Sequence, residues 1–164
     1  MAKLGIIADT HDNYTGTKKA IEIFRDKGCD MILHLGDLIA PPMLNLFRDT
    51  NTRFVLGNNE GEIPFLLKKA EENNVEFDRY VMEVESDGKK IAGFHGYSED
   101  ITNALISSGR YDYVLVGHTH GKFDRKEGNV RVINPGALFL GQEEKTVAVL
   151  DTEKDELEFV NVNE

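Results

Sequence analysis

The sequence has a single cysteine, Cys29, among its 164 residues, and it has no long apolar run. One cysteine excludes an intrachain disulfide and makes a reducing compartment the expected one. No stretch approaches the roughly 20 apolar residues of a membrane-spanning helix. The apolar segment that precedes Asp9 is too short for a signal peptide. We therefore expect a soluble, cytoplasmic protein that does not span or enter a membrane.

The chain also has fewer basic residues than acidic ones. The chain has 19 Lys and Arg against 29 Asp and Glu, which gives a net charge of −10. Such a surface repels polyanions, so stable binding of nucleic acid is not expected. A phosphate-containing substrate would need a local positive centre, for which bound metal ions are the obvious candidates. The length and ordinary composition predict one domain over residues 1–164, with no separate cap domain.

The first half of the chain alternates predicted strands with predicted helices. Apolar runs indicate strands at 4–8, 31–35 and 53–56, and helical segments follow at 14–27, 41–48 and 62–73. This order favours parallel strands joined by right-handed crossovers. The second half is richer in strands, with turns around Asp87-Gly88, Glu127-Gly128-Asn129 and Lys154-Asp155 and a helix over 99–109. The pattern predicts a layered α/β fold. One arrangement consistent with this pattern is a sandwich of two sheets with flanking helices.

Polar side chains follow five of the predicted strands, at the point where each strand ends. They are Asp9, His11, Asp37, Asn58, Asn59, His95, His118 and His120. Because ligands bind outside the carboxyl ends of strands in α/β sheets, we expect these side chains to meet on one rim. The fifth histidine, His34, lies inside an apolar run. We expect it to be a hydrogen-bonded core histidine or a support for a ligand.

This donor set suits metal ions. Imidazole and carboxylate bind Mn, Fe, Zn, Co or Ni, and no thiolate is available to favour a structural zinc site. Each motif alone has an ordinary interpretation as a turn or a helix cap. All of the polar residues named above at the strand ends, except Asn59, are counted as metal donors. These seven donors exceed the roughly three protein ligands of a catalytic site with one ion. If Asp37 bridges, each of two ions receives four protein donors and the site stays net positive, so it attracts a phosphate ester and activates water.

The motifs also resemble those of a known family. The ordered set Asp9-x-His11, Gly36-Asp37, Gly57-Asn58, His95-Gly96 and Gly117-His118-x-His120 resembles the calcineurin-like metallophosphoesterases. The short chain and Asn134-Pro135-Gly136-Ala137 are similar to the compact phosphodiesterase branch that includes the bacterial YfcE type. The resemblance implies an α/β/β/α sandwich of mixed strands with the site at the carboxyl ends of the strands. It also implies a phosphodiesterase of broad specificity, in which a hydroxide that bridges two divalent ions attacks a small phosphate ester.

The resemblance further implies a ligand assignment. It places Asp9, His11, Asp37 and His120 around one ion, and Asp37, Asn58, His95 and His118 around the other. Mn²⁺ is the expected metal, with Ni²⁺, Fe²⁺, Co²⁺ and Zn²⁺ as alternatives. The backbone of 134–137 would lie near the site.

One position departs from the family pattern. Many members have histidine after the Gly-Asn pair, where this chain has Asn59. Asparagine can donate a hydrogen bond to phosphate but cannot act as a general acid. We therefore expect Asp37 and Asn59 to be the catalytic residues, with Asn59 steadying the transition state. We also expect weaker activity on esters with poor leaving groups and a preference for activated or diester substrates.

Two other functions stay open on the sequence alone. One is a non-catalytic metal-binding scaffold of the same fold, like the retromer subunit, since a fold does not guarantee catalysis. The other is a nuclease, which the absence of a basic groove disfavours. Self-association is also open, because Phe65, Leu66, Phe139 and Leu140 could face a partner or the core.

Overall fold

The computed structural model describes residues 2–163. The strands are β1 (Lys3–Ile7), β2 (Met31–His34), β3 (Thr52–Phe54), β4 (Glu76–Phe77), β5 (Val81–Ser86), β6 (Lys89–Phe94), β7 (Tyr113–Leu115), β8 (Phe123–Glu127), β9 (Val130–Asn134), β10 (Thr146–Asp151) and β11 (Glu156–Asn161). The helices are α1 (Tyr14–Asp26), a 3₁₀ helix (Pro41–Phe47), α2 (Ile63–Glu72) and α3 (Glu99–Ser107). None of the helices within this range is long and apolar enough to cross a membrane.

The strands form two mixed sheets. The first sheet has the order β11-β10-β1-β2-β3-β4, and the second has the order β5-β6-β7-β9-β8. In the first sheet β1, β2, β3 and β4 run parallel, and β10 pairs antiparallel with β1. In the second sheet β6, β7 and β9 run parallel, while β5 and β8 are antiparallel edges. The prediction of an α/β sandwich with two mixed sheets is confirmed.

Three apolar clusters separate the layers. Between the sheets, β1 and β2 contribute Leu4 and Leu33, which pack with residues of the second sheet such as Leu115. On the outer side of the first sheet, α1, the 3₁₀ helix and α2 bury their apolar stripes. The third cluster lies where partly buried residues of α3 pack on the second sheet. Burial on both faces explains why β1, β2 and β7 read as continuous apolar runs without alternation.

The structure differs from the sequence prediction in two elements. The segment that opens with Pro41-Pro42 is a 3₁₀ helix of seven residues and not an α-helix. Two adjacent prolines remove two backbone N–H donors, and Ala40 before them is held in the extended region. The short strand β4, Glu76–Phe77, was not predicted, because two residues are too few to show a periodic pattern.

Candidate metal centre

The loops that follow the parallel strands of both sheets meet at one edge of the sandwich. Within the first sheet, the backbone N–H of Asp9 donates to the carbonyl of Gly36 over 3.0 Å. Within the second, the N–H of Gly117 donates to the carbonyl of His95 over 2.8 Å. Across the sheets, the backbone N–H of His118 donates to the Asp9 carboxylate over 2.9 Å. The two sheets therefore present their loop residues to the same space.

Five of the seven predicted metal ligands come together in that space. The ligand atoms of Asp9, His11 and His120 lie within 4.8 Å of one another, and so do those of Asp9, Asp37 and His95. The Oδ2 of Asp37 is 3.3 Å from Nε2 of His11 and 3.4 Å from Nε2 of His95. Both carboxylates thus lie among imidazoles from both sheets.

Three buried atoms of this cluster have no hydrogen-bond partner within residues 2–163. They are Oδ1 of Asp9, Nε2 of His11 and Nε2 of His95. Asp9 Oδ1 lies 3.7 and 3.8 Å from the two imidazole nitrogens, and the closer approaches in the cluster, such as 3.3 Å from Asp9 Oδ1 to Nε2 of His120, do not have the geometry of a hydrogen bond. Buried polar atoms in native proteins are nearly always paired, and an unpaired one costs about 1–3 kcal/mol. These atoms belong to two groups of closely spaced ligand atoms, one with His11 and one with His95, and a divalent cation in each group would satisfy them. The residues therefore fit bound metal.

His95 is oriented as metal-binding histidines commonly are. Its Nδ1 donates to the carbonyl of Leu35 over 2.7 Å, which leaves the lone pair of Nε2 facing the carboxylates. Burial lowers the pKa of His95, but the nearby carboxylates of Asp37 and Asp9 outweigh burial and raise that pKa above its ordinary value. The Asp9 carboxylate likewise raises the pKa of His11. The cluster therefore attracts positive charge strongly, whether as protons or as metal ions.

The backbone of the cluster is strained. Five of the predicted ligands, Asp9, His11, Asp37, His118 and His120, have φ between 41° and 67°. For residues other than glycine this left-handed conformation costs roughly 1–2 kcal/mol each, and it persists only where the surroundings enforce it. Close approach of the loops adds to the constraint, since a methyl group on Gly57 would lie 1.9 Å from Oδ1 of Asp37.

Asn59 holds the Asp37 carboxylate in place. Its backbone N–H donates to Oδ1 over 2.9 Å, and its side-chain Nδ2 donates to Oδ2 over 2.8 Å. Burial alone would raise the pKa of Asp37, but the interactions with His95 and Asn59 hold that pKa well below its usual range. Asp37 is therefore a carboxylate at neutral pH and available as a ligand.

The other two predicted ligands are placed differently from the five. The ring of His118 packs edge-on against His95 with a centroid separation of 5.2 Å. Asn58 is exposed, and its side chain makes no hydrogen bond within the described residues. Its role as a ligand stays a prediction.

Glu60 is a supporting residue that the sequence analysis missed. Its Oε1 accepts from the backbone N–H groups of Asp37 over 2.6 Å and Gly57 over 2.9 Å. Its Oε2 accepts from Leu38 over 3.1 Å and Ile39 over 2.9 Å. One side chain thus satisfies four amides of two loops. A lone acidic residue three positions after a glycine gives no sequence signal for such a contact.

Asn134 is a second support, from the loop that the resemblance placed near the site. Its Nδ2 donates to the carbonyl of Gly117 over 2.9 Å and to Oγ1 of Thr119 over 3.1 Å. Its Oδ1 accepts from the N–H of Gly136 over 2.9 Å. The side chain therefore ties β9 to the segment that carries His118 and His120.

His34 is buried and hydrogen-bonded, in agreement with its interpretation as a core or supporting histidine. Its Nδ1 accepts from the N–H of Gly36 over 3.1 Å, and its Nε2 lies 3.2 Å from Oγ1 of Thr10. Burial lowers the pKa of His34 to about 3. The neutral ring thereby fixes the two loops that carry Asp9 and Asp37.

Glu60→Gln should weaken both the fold and the metal site. The amide nitrogen of glutamine would face two backbone N–H groups that now donate to a carboxylate oxygen. We expect the free energy of unfolding to fall by about 1–3 kcal/mol and the Mn²⁺ affinity to fall by about 10- to 100-fold. Denaturant unfolding in chelator and calorimetric titration with Mn²⁺ measure these changes. Glu62→Gln, at an exposed position with no side-chain cap bond, is the matched control; equal behaviour of the two variants would contradict the supporting role.

His34→Asn should make the free energy of unfolding less dependent on pH in the acidic range. The pKa of His34 falls from its ordinary 6.5 to about 3 on folding, so only the unfolded chain binds the proton between these values. The stabilising contribution is complete above the unfolded pKa and is lost as the pH falls. Between about pH 6 and about pH 4 the wild type should lose about 1.4 kcal/mol per pH unit more than the variant. Denaturant unfolding in chelator at several pH values measures this difference, and parallel profiles would show that His34 does not carry it.

A model of the calcineurin-like phosphoesterase superfamily domain matches residues 2–155. The chain is 36% identical over 162 residues to phosphodiesterase MJ0936 of Methanocaldococcus jannaschii, a match that covers 94% of this chain and 95% of that protein.

Two solved structures are similar to this one. An archaeal phosphodiesterase superimposes with a TM-score of 0.91 at 34% identity, covering 97% of this chain and 99% of that chain. The phosphoesterase YfcE from E. coli superimposes with a TM-score of 0.71 at 17% identity, covering 98% of this chain and 100% of that chain. At that identity, the second likeness concerns the fold alone.

Proposed function

The chain belongs to the calcineurin-like phosphoesterase superfamily, and we propose that it is a metal-dependent phosphodiesterase that hydrolyses small phosphate esters with broad specificity. The observation that carries this function is the set of three unpaired, buried ligand atoms that share one space. The relative from Methanocaldococcus jannaschii, named a phosphodiesterase, supports the same reaction, since it aligns with 94% of this chain.

We infer that the site takes two divalent ions, with Mn²⁺ as the expected metal. Asp9, His11, Asp37 and His120 would hold one ion, and Asp37, Asn58, His95 and His118 the other. The position of Asp37 Oδ2 supports a bridging role, because it lies 3.3 Å from His11 and 3.4 Å from His95. Asn58 would have to turn inward from its exposed position to complete the second set.

The reaction needs positive charge at the phosphate and an activated water. Two divalent ions held by these residues would supply both. The chain supplies their placement: Leu35 fixes the tautomer of His95, Asn59 fixes the Asp37 carboxylate, and Glu60 fixes the loop that carries Asp37. Because these groups are held before substrate arrives, little reorganisation is left for the reaction itself.

Asn59 has a second donor to offer. Its Nδ2 carries two N–H groups, and one of them donates to Asp37. We infer that the other donates to a phosphate oxygen and steadies the transition state, while Asp37 remains the central carboxylate of the site. An amide cannot protonate the leaving oxygen, so the leaving group must depart as a stable anion or take its proton from solvent.

The rival functions explain the cluster less well. A scaffold that binds only proteins has no need of three buried atoms left unpaired at a cost in stability. A nuclease would need favourable long-range attraction to a polyanion, which a net charge of −10 opposes.

Asp37→Asn should abolish Mn²⁺-dependent turnover while leaving the protein folded. The substitution is isosteric but removes the negative charge shared by two imidazoles, so we expect kcat/KM for bis-p-nitrophenyl phosphate to fall by at least about 10³-fold. Turnover of metal-stripped protein, with and without added Mn²⁺, measures the effect. The metal content after reloading reports how many ions each protein holds.

Asp26→Asn is the matched control, since Asp26 is an exposed acidic residue at the end of α1. It should behave as wild type. Turnover by the Asp37 variant equal to that of the wild type would contradict the assignment of Asp37 as a metal ligand and catalytic residue. Wild-type protein that binds no divalent metal would instead favour a scaffold that binds only proteins, and wild-type protein that binds metal without turnover would favour the metal-binding scaffold.

The rate should depend steeply on the leaving group. Because Asn59 cannot donate a proton to the departing oxygen, kcat/KM should fall as the pKa of the leaving alcohol rises across a series of aryl and alkyl diesters. Asn59→His should flatten this dependence, since imidazolium can act as a general acid. Steady-state kinetics with Mn²⁺ measure both slopes, and a flat dependence in the wild type would contradict the proposal.

A further inference from the structure

An exposed aromatic ring lies against two of the candidate ligands. The ring centroid of Phe139 is 5.3 Å from that of His11 and 5.6 Å from that of His120. Phe139 is nevertheless 39% exposed, so part of its surface faces solvent at the rim of the site. A phenyl ring used only to bury the histidines would gain more by turning inward. The exposed part of the ring is therefore available to contact a ligand at the rim of the site.

The surrounding turn sets the position of the ring. A methyl group on Gly141 would lie 2.6 Å from Cε1 of Phe139, so the chain passes directly against the ring. The N–H of Gln142 donates to the carbonyl of Phe139 over 2.9 Å. The side chain of Gln142 donates to the carbonyl of His120 over 3.0 Å. The turn is thus tied to the ligand loop, and the ring is held beside the site before any ligand binds.

The geometry of in-line displacement indicates which part of a substrate meets this ring. The leaving group departs opposite to the attacking water, which is activated at the ligand cluster. It therefore points away from the cluster, towards solvent. The three oxygens that stay on phosphorus would lie in the plane perpendicular to this axis, so the retained ester group would project sideways, along the edge of the cluster. Phe139 also lies alongside, in contact with His11 and His120.

We propose that Phe139 determines specificity by stacking on a planar aromatic group carried by the retained ester oxygen of a phosphodiester. This inference rests on the proposed phosphodiesterase function and names its substrate class. An aromatic face gives stacking energy to any planar ring without requiring hydrogen bonds, so it tolerates variety in that group. The acidic surface restricts the substrate to small esters, in which one stacked ring is a large share of the binding energy.

The other exposed aromatic residue near the cluster is placed less well for this role. The ring centroid of Tyr97 is 6.3 Å from that of His95, and Tyr97 packs more closely on Phe94, at 5.0 Å. Phe139 instead contacts two candidate ligands. Phe139 is therefore the ring better placed to contact a bound substrate.

The test uses two diesters with the same leaving group, 1-naphthyl 4-nitrophenyl phosphate and methyl 4-nitrophenyl phosphate. Wild-type protein loaded with Mn²⁺ should prefer the naphthyl ester. Phe139→Ala should reduce kcat/KM for the naphthyl ester about tenfold more than for the methyl ester. Gly141→Ala, which displaces the ring without removing it, should reduce the same preference. Leu140→Ala is the matched control, since Leu140 is the neighbouring residue and is 62% exposed.

Two binding measurements separate stacking from a merely structural role. Calorimetry should show that Phe139→Ala weakens binding of 1-naphthyl phosphate but not of methyl phosphate, with Mn²⁺ affinity unchanged. Equal losses on both esters, together with weaker Mn²⁺ binding, would overturn the inference and make Phe139 a support for the histidines. Absence of turnover by the wild type would contradict the proposed function, while the affinities for the two monoesters would still decide the role of Phe139.

Discussion

Two carboxylates buried among imidazoles are the constraint on which the rest of the site depends. Asp9 is fully buried and Asp37 nearly so, and both lie where the loops of the two sheets meet. Burying charge without compensation is expensive, so the arrangement is stable only if positive charge enters with it. Protons on the histidines can supply part of that charge, and divalent cations can supply more of it. The buried carboxylates therefore favour the binding of cations at one edge of the sandwich.

Supporting residues keep the ligands from relaxing away from this arrangement. Glu60 accepts hydrogen bonds from four backbone amides. Asn134 connects β9 to the segment that carries His118 and His120, and the neutral ring of His34 connects the loops after β1 and β2. These supports bind backbone groups and the hydroxyls of Thr10 and Thr119, and not the ligand atoms themselves. This division leaves the ligand atoms free to bind while the strained backbone is held by its neighbours.

The surface chemistry around the site complements this interior. A net charge of −10 disfavours long anionic polymers, while divalent ions bound at the site would supply the local positive charge that favours a single phosphate group. The aromatic ring of Phe139 adds apolar surface next to that centre. Selectivity would then come from one charged interaction at phosphorus and one stacking interaction beside it, which suits a small ester with an aromatic substituent.

The sequence by itself determined the order of strands and helices and the donor types that follow each strand, because periodicity and strand ends are local features. It therefore placed Asp9, His95 and the other donors at the carboxyl ends of strands. Only the tertiary structure decided that the side chain of Asn59 binds Asp37 while that of Asn58 makes no hydrogen bond within the described residues, since adjacent residues differ in direction only once the loop is folded. The role of Glu60 was equally hidden, because three of its four partners lie in a loop 21 to 23 residues away. Both contacts join the loops that follow the neighbouring strands β2 and β3, and only the pairing of these strands in the folded sheet brings the two loops together. No local sequence pattern encodes that pairing.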